Sequence, residues 1–319
     1  MSVLEDFLAR WLKAELIDEG TAERLRQFES SGPLAAQSTA DRPGALEALL
    51  YLGLVVLGVG VFSLMGLQWD EFSPAGRVAA IATPTALLLL MGWVLRRSTD
   101  PEFRRGSQAA WLVAVAFFAG TIAVVLSEYT EAGDNDSGLL IVSGGALALS
   151  FALWLFNRSP AQVLAIAATS FFFGQATGTL PDEWSQEVAG STVLCAGLAG
   201  VVLAEMGLFR PASTARGLFA LLVLAGPYEA GVGNGPLVFE LLAGLAAVAV
   251  IGLGVRRGDF PLLLIGVAGA FVVLVTFIFE HFSDQLGAPL ALVLCGAILV
   301  GGVLLLGALR RSSGVFRRA

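Results

Sequence analysis

A chain of 319 residues with 56% apolar and 14% charged side chains, at a mean hydropathy of +0.79, carries too little charge to cover a soluble domain. Its balance is acidic, −7 overall, and no nucleic-acid partner is expected. Two cysteines, Cys195 and Cys295, each inside an apolar run, and a single histidine with no CxxC leave neither a structural disulfide nor a zinc site expected.

In chain order, residues 3–14 come first. They place Val3, Leu4, Phe7, Leu8, Trp11 and Leu12 on one helical stripe. Asp18 reads as the N-cap of a second helix carrying Thr21, Ala22, Leu25 and Phe28, which Ser30-Ser31-Gly32-Pro33 stops. Residues 1–32 are thus a helical hairpin and 33–43 a linker. The hairpin holds seven acids and four bases, so it has no basic face for phosphate. It is suited to pack on itself, on a partner chain or on the membrane surface.

From residue 44 to 311 the chain is a membrane domain, followed by a tail over 312–319. A bilayer core about 30 Å thick takes roughly 20 apolar residues per helix. The runs are continuous rather than alternating, which selects helices over barrel strands. Ten spans are expected: 45–67, 77–95, 108–127, 138–156, 161–180, 189–208, 216–233, 236–255, 260–281 and 288–309. The seventh is the weakest, because Gly226-Pro227-Tyr228-Glu229 follows a short apolar core and suggests a helix that ends or breaks at Pro227. The fold class is therefore an all-α polytopic bundle with a cytoplasmic N-terminal hairpin.

Arginine supplies an independent test of this count. With both termini inside, eighteen of the nineteen basic residues fall in cytoplasmic segments and only Arg77 falls outside, as the positive-inside rule requires of short loops. A missed span would reverse every later loop. The outer loops collect thirteen acids instead, which is what remains once arginine is confined to the inside. Trp69, Trp184, Tyr129 and Tyr228 stand at outer span ends, where amphipathic rings settle at the headgroups.

Trp11, Leu16-Ile17-Asp18, Ala22 and Leu25, then an apolar span and Gln68-Trp69-Asp70-Glu71-Phe72, resemble the bacterial membrane proteins grouped as domain of unknown function 2157. The resemblance is clearest over the first third of the chain. Glu15 stands where that family often has glycine, and Gln68 where it often has asparagine. The resemblance implies a multi-pass protein of the bacterial inner membrane. It implies no activity and no catalytic residue.

Enzyme motifs are missing from the sequence. Lys13 is the sole lysine, so there is no P-loop, and Asp134-Asn135-Asp136-Ser137-Gly138 lacks the remaining ligands of a calcium loop. Ionisable residues within spans are better candidates, since a charge in lipid costs about 2.5–3.5 kcal/mol. Glu47, Glu205, Glu240 and the pair Glu280-His281 all lie near span ends, where the plain reading is a carboxylate reaching water. Glu205 and Glu240, flanked on both sides by apolar residues, suit a protein-lined cavity. Glu280-His281 is a candidate pH-responsive pair. Gln175, with Thr169, Ser170 and Thr177, gives the fifth span a polar face. Thr83-Pro84-Thr85 should kink the second. Trp69 and Asp70 complete the candidates. No cofactor or catalytic residue is expected.

Two functions fit. One is a non-enzymatic scaffold, sensor or assembly factor acting through the hairpin and loops. The other is a secondary transporter of a small solute or lipid, built from two five-span halves.

Overall fold

The computed structural model describes residues 8, 10–31, 69–131, 137–181, 184–231 and 235–281, with isolated positions between 53 and 66 and at 293, 296 and 297. Most of the spans expected at 45–67 and 288–309, the linker, the tail, Glu47, Cys295 and the Asp134–Asp136 turn lie outside the described residues. Contacts divide the chain into two compact units, Met1–Leu67 with Val94–Ser107, and Gln68–Trp93 with Gln108–Ala319.

In the first unit, residues 10–13 are helical and the chain turns before α1 (Glu19–Ser31). Leu16 N–H donates to the Trp11 carbonyl at 3.0 Å and Glu15 N–H to Leu12 at 3.1 Å, the paired bonds of a Schellman stop. Glu15 occupies the left-handed position of that motif at φ 53°. That backbone conformation is one glycine adopts without cost and a residue with a Cβ does not. Asp18 caps α1 as expected, accepting from Thr21 N–H at 3.0 Å. The Thr21 side chain and amide together hold the Asp18 carboxyl below its usual range.

The second unit begins with a 3₁₀ turn, Trp69–Glu71. The helices that follow in the chain are α2 (Pro74–Arg96) and α3 (Pro101–Tyr129), whose adjoining ends within Val94–Ser107 count with the first unit, then α4 (Ser137–Phe156), α5 (Pro160–Thr177), α6 (Gln186–Glu205), α7 (Ala212–Gly231), α8 (Leu237–Arg257) and α9 (Phe260–His281). They coincide with the second to ninth expected spans. Among the described residues six of them, all but α5 and α7, are long and apolar enough to cross a membrane.

Burial explains the two exceptions. α5 and α7 lie inside the bundle, where polar residues find protein rather than lipid. Val163, Ile166 and Ala167 of α5 join Val193 and Ala204 of α6 and Phe219 and Leu222 of α7 in one core. Ala220, Val223 and Leu224, further along α7, pack with Ala247 and Val250 of α8 and Leu262 of α9. α7 does not stop at Pro227 but runs through it to Gly231, with Gly226 and Pro227 buried.

Lipid tails are as apolar as leucine, so helices in a bilayer associate by close packing rather than by escape from water. Glycine supplies the closeness between α6 and α7. A Cβ on Gly197 would stand 2.6 Å from Val223 N, and one on Gly226 would stand 2.5 Å from Leu194 N. α5 joins α6 in the same way, Gly174 lying against Val193, and α8 joins α9 through Gly254 against Leu263. Gly190, Gly197, Gly200 and Ala204 line the buried face of α6.

Polar side chains close their own helices. Thr83 and Thr85 donate to the Ala79 and Ile81 carbonyls at 2.7 and 2.9 Å, on either side of the Ala80 carbonyl that Pro84 cannot serve. α2 remains continuous through the proline. Thr85 also meets Thr121 of α3 at 3.2 Å.

Candidate functional site

The helix ends gather the charged residues into three places. At one end, Glu205 closes α6, Arg216 lies in the first turns of α7, Arg257 closes α8 and Asp259 precedes α9. Arg216 reaches Glu205 at 3.4 Å and Asp259 at 3.2 Å, and Arg257 also pairs with Glu205. Asp259 caps α9 through Leu262 N–H at 3.4 Å. Its side chain and that of Arg216 are 9% and 17% exposed, so this is a partly buried lattice that ties four helices together. Glu205, read as a cavity candidate, is instead neutralised by two arginines.

A second cluster holds Arg77, the single basic residue expected among the acidic outer loops. Its guanidinium donates to the Trp69 carbonyl at 3.0 Å, pairs with Glu128 of α3 at 2.7 Å and lies over the Trp69 ring. Trp69 thus acts as a clamp on α2, while Asp70 is exposed in the 3₁₀ turn.

The other end of α5–α9 holds a pocket in which a few polar side chains edge a mainly apolar wall. Gln175 of α5, Gln186 and Ala189 of α6, Tyr228 and Glu229 of α7, and Trp184 line a cavity of about 280 Å³. The Gln175 carboxamide donates to the Glu229 carboxylate across it. Thr169 and Thr177, by contrast, bond to the Ala165 and Gly174 carbonyls of their own helix. Of the polar residues in α5 singled out by sequence, Gln175 is the one that lines this pocket. Glu229 was missed because it follows a proline and reads as a loop acid. Its signal was a carboxylate one turn from the end of a helix that Pro227 failed to stop.

Beside this pocket lies a narrow cleft lined by Tyr228, Gly231, Glu240, Thr276, Phe277 and Glu280. Tyr228 borders both spaces and its hydroxyl meets Thr276 of α9 at 3.2 Å. Here the structure brings Glu240 of α8 to Glu280 and His281 of α9. The nearest ligand atoms of the three all lie within 4.8 Å of one another.

A bundle of long apolar helices with charge confined to helix ends is that of a polytopic α-helical membrane protein. Residues 9–159 match the family model described as "Predicted membrane protein (DUF2157)". The match extends beyond the first third in which the resemblance was clearest. No curated protein matches the chain, and no solved structure does.

Proposed function

We propose that this is a non-enzymatic protein of the bacterial inner membrane whose bundle binds and carries a small cationic solute, the transporter reading in preference to a scaffold. The cavity between Gln175 and Glu229 carries the proposal. It offers one carboxylate, two carboxamides and the rings of Trp184 and Tyr228. A carboxylate with aromatic faces is the chemistry that holds an ammonium group away from bulk water. The volume lies at the lower edge of the roughly 300–1,000 Å³ of ordinary ligand pockets, which suits a solute of few atoms.

The cavity is built on α5 and α7, the inner helices, and Pro227 sits two residues from Glu229. Pro227 removes one helical hydrogen bond from α7 beside this acid, and carriers recurrently place such weakened helix segments next to their sites. With both termini cytoplasmic, as the arginine distribution requires, the cavity opens outward and the Arg216 lattice closes the inner end.

The test is uptake into liposomes holding the purified full chain, using a panel of small primary and quaternary amines. At least one should accumulate, and Glu229→Gln should lower its uptake tenfold or more. No uptake of any amine, or equal uptake by the variant, overturns the reading. A scaffold draws support from the exposure of Leu16 and Phe28, 72% and 66%, on the N-terminal segment. If deleting residues 1–40 abolishes complementation of a deletion strain while Glu229→Gln complements fully, the scaffold replaces the carrier.

A further inference from the structure

We propose that Glu240, Glu280 and His281 form a binding site for one divalent transition-metal ion. The inference stands apart from the carrier reading, because none of the three lines the Glu229 cavity.

The argument begins with the histidine. His281 Nδ1 lies 3.1 Å from the Phe277 carbonyl of its own helix. A carbonyl only accepts, so Nδ1 carries the hydrogen and donates it. The ring is held further by stacking on Phe277, centroids 4.6 Å apart. In the neutral imidazole this leaves Nε2 bare, with its lone pair available. A backbone carbonyl that fixes the tautomer in this way is the usual outer partner of a metal-binding histidine.

The lone pair faces a carboxylate. Nε2 is 3.8 Å from Glu240 Oε2, beyond hydrogen-bond reach. That oxygen is enclosed and has no hydrogen-bond partner among the described residues. Two electron-rich atoms therefore face each other across a gap, in a side chain only 13% exposed. A buried acceptor without a partner is costly, and a cation between the two removes the cost. Glu280, at the same cleft, supplies the third ligand atom and a second negative charge.

Distances agree with a small ion. Ligands at about 2.0–2.2 Å from a tetrahedral metal stand about 3.4 Å apart. The observed 3.8 Å is already near that value. The largest separation, within 4.8 Å, closes by a small rotation of the exposed Glu280 side chain. One imidazole nitrogen with two carboxylates suits zinc, manganese or cobalt rather than calcium, which prefers six to eight oxygens. The sequence argued against zinc by counting cysteine and histidine. The fold answers with a carboxylate from another helix, forty-one residues from the histidine.

The test is calorimetric titration of tag-free full chain in detergent with Zn²⁺, after removal of metal by chelator. One ion per chain is expected, and because His281 is the sole histidine, loss of its free imidazole NMR signal on titration identifies the ligand. Glu280→Gln and His281→Ala, both at exposed positions, should each weaken binding tenfold or more, and Glu187→Gln at the exposed start of α6 should not. Zinc binding that is absent in the wild type overturns the proposal. So does a double variant, Glu280→Gln with His281→Ala, that keeps the wild-type affinity. An imidazole that responds to pH but not to zinc also overturns it, since a proton then fills the gap.

Discussion

Replacing Gly197 by alanine tests the packing that builds the bundle. The new methyl would stand 2.6 Å from Val223 N and 2.9 Å from Leu222 C, both backbone atoms that no rotamer change can move aside. Restoring an ordinary 3.4 Å contact requires α6 and α7 to part by roughly 0.8 Å. Such overpacking costs up to about 3 kcal/mol, and separation also loosens the Gly190–Gly226 approach next to it. Alanine returns about 1 kcal/mol of helix propensity, so the net loss is about 2 kcal/mol. Gly244 of α8 has nothing within 4 Å of an added Cβ. Gly244→Ala therefore keeps the propensity gain alone, and the two variants should differ by about 3 kcal/mol. Thermal unfolding in one detergent should rank Gly244→Ala at or above the wild type and Gly197→Ala well below both. A Gly197→Ala protein as stable as Gly244→Ala would refute the account of close backbone packing.

Arg216→Ala should destabilise by about 2 kcal/mol, because Asp259 and part of Glu205 lose their cation in a partly buried place, whereas Arg257→Ala, at a 46% exposed side chain, should cost below about 1 kcal/mol; denaturation of both variants decides the order. Glu15→Gly should raise the local stability of the N-terminal segment by about 1 kcal/mol by relieving the left-handed residue, read as slower hydrogen exchange at Leu16. Asp18 has a depressed folded-state pKa, so its capping contribution is complete above the ordinary value near 3.8 and disappears as pH falls through the lower folded value. Protection factors over residues 19–31 should therefore drop at acid pH in the wild type and change less in Asp18→Asn, which caps without titrating. Identical acid profiles would exclude Asp18 as the cause.

Hydropathy located the eight helices α2 to α9, seven of them to within a few residues and α3 with a start seven residues later than observed, since length and apolarity are local properties. The Asp18 cap was legible for the same reason. Pro227 misled, because the ring removes one hydrogen bond but packing against α6 supplies enough contact to carry α7 onward. Glu205 looked like a cavity acid for want of information about Arg216 and Arg257, which are distant in sequence and arrive only when helix ends meet. The Glu229 pocket and the Glu240–His281 approach share that origin. Each is assembled across helices, and no single span displays it.

The glycine contacts also fix what can move. α5, α6 and α7 touch backbone to side chain or backbone to backbone at Gly174, Gly197 and Gly226, and α8 and α9 do so at Gly254 and Gly266. Sliding either set by one residue would drive a side chain into a slot that admits only hydrogen. Between the sets the joint is mostly deformable leucine, valine and isoleucine side chains, with Leu224 against Gly269, and only at one end does Gly231 meet the backbone at Glu240. Helices α5 to α9 are in this respect two castings and one gasket. The Gln175–Glu229 cavity lies wholly in the first casting, Glu240 and His281 in the second, and the polar stitches between them are Tyr228–Thr276 at one end and the ion pairs of Arg216 and Arg257 at the other.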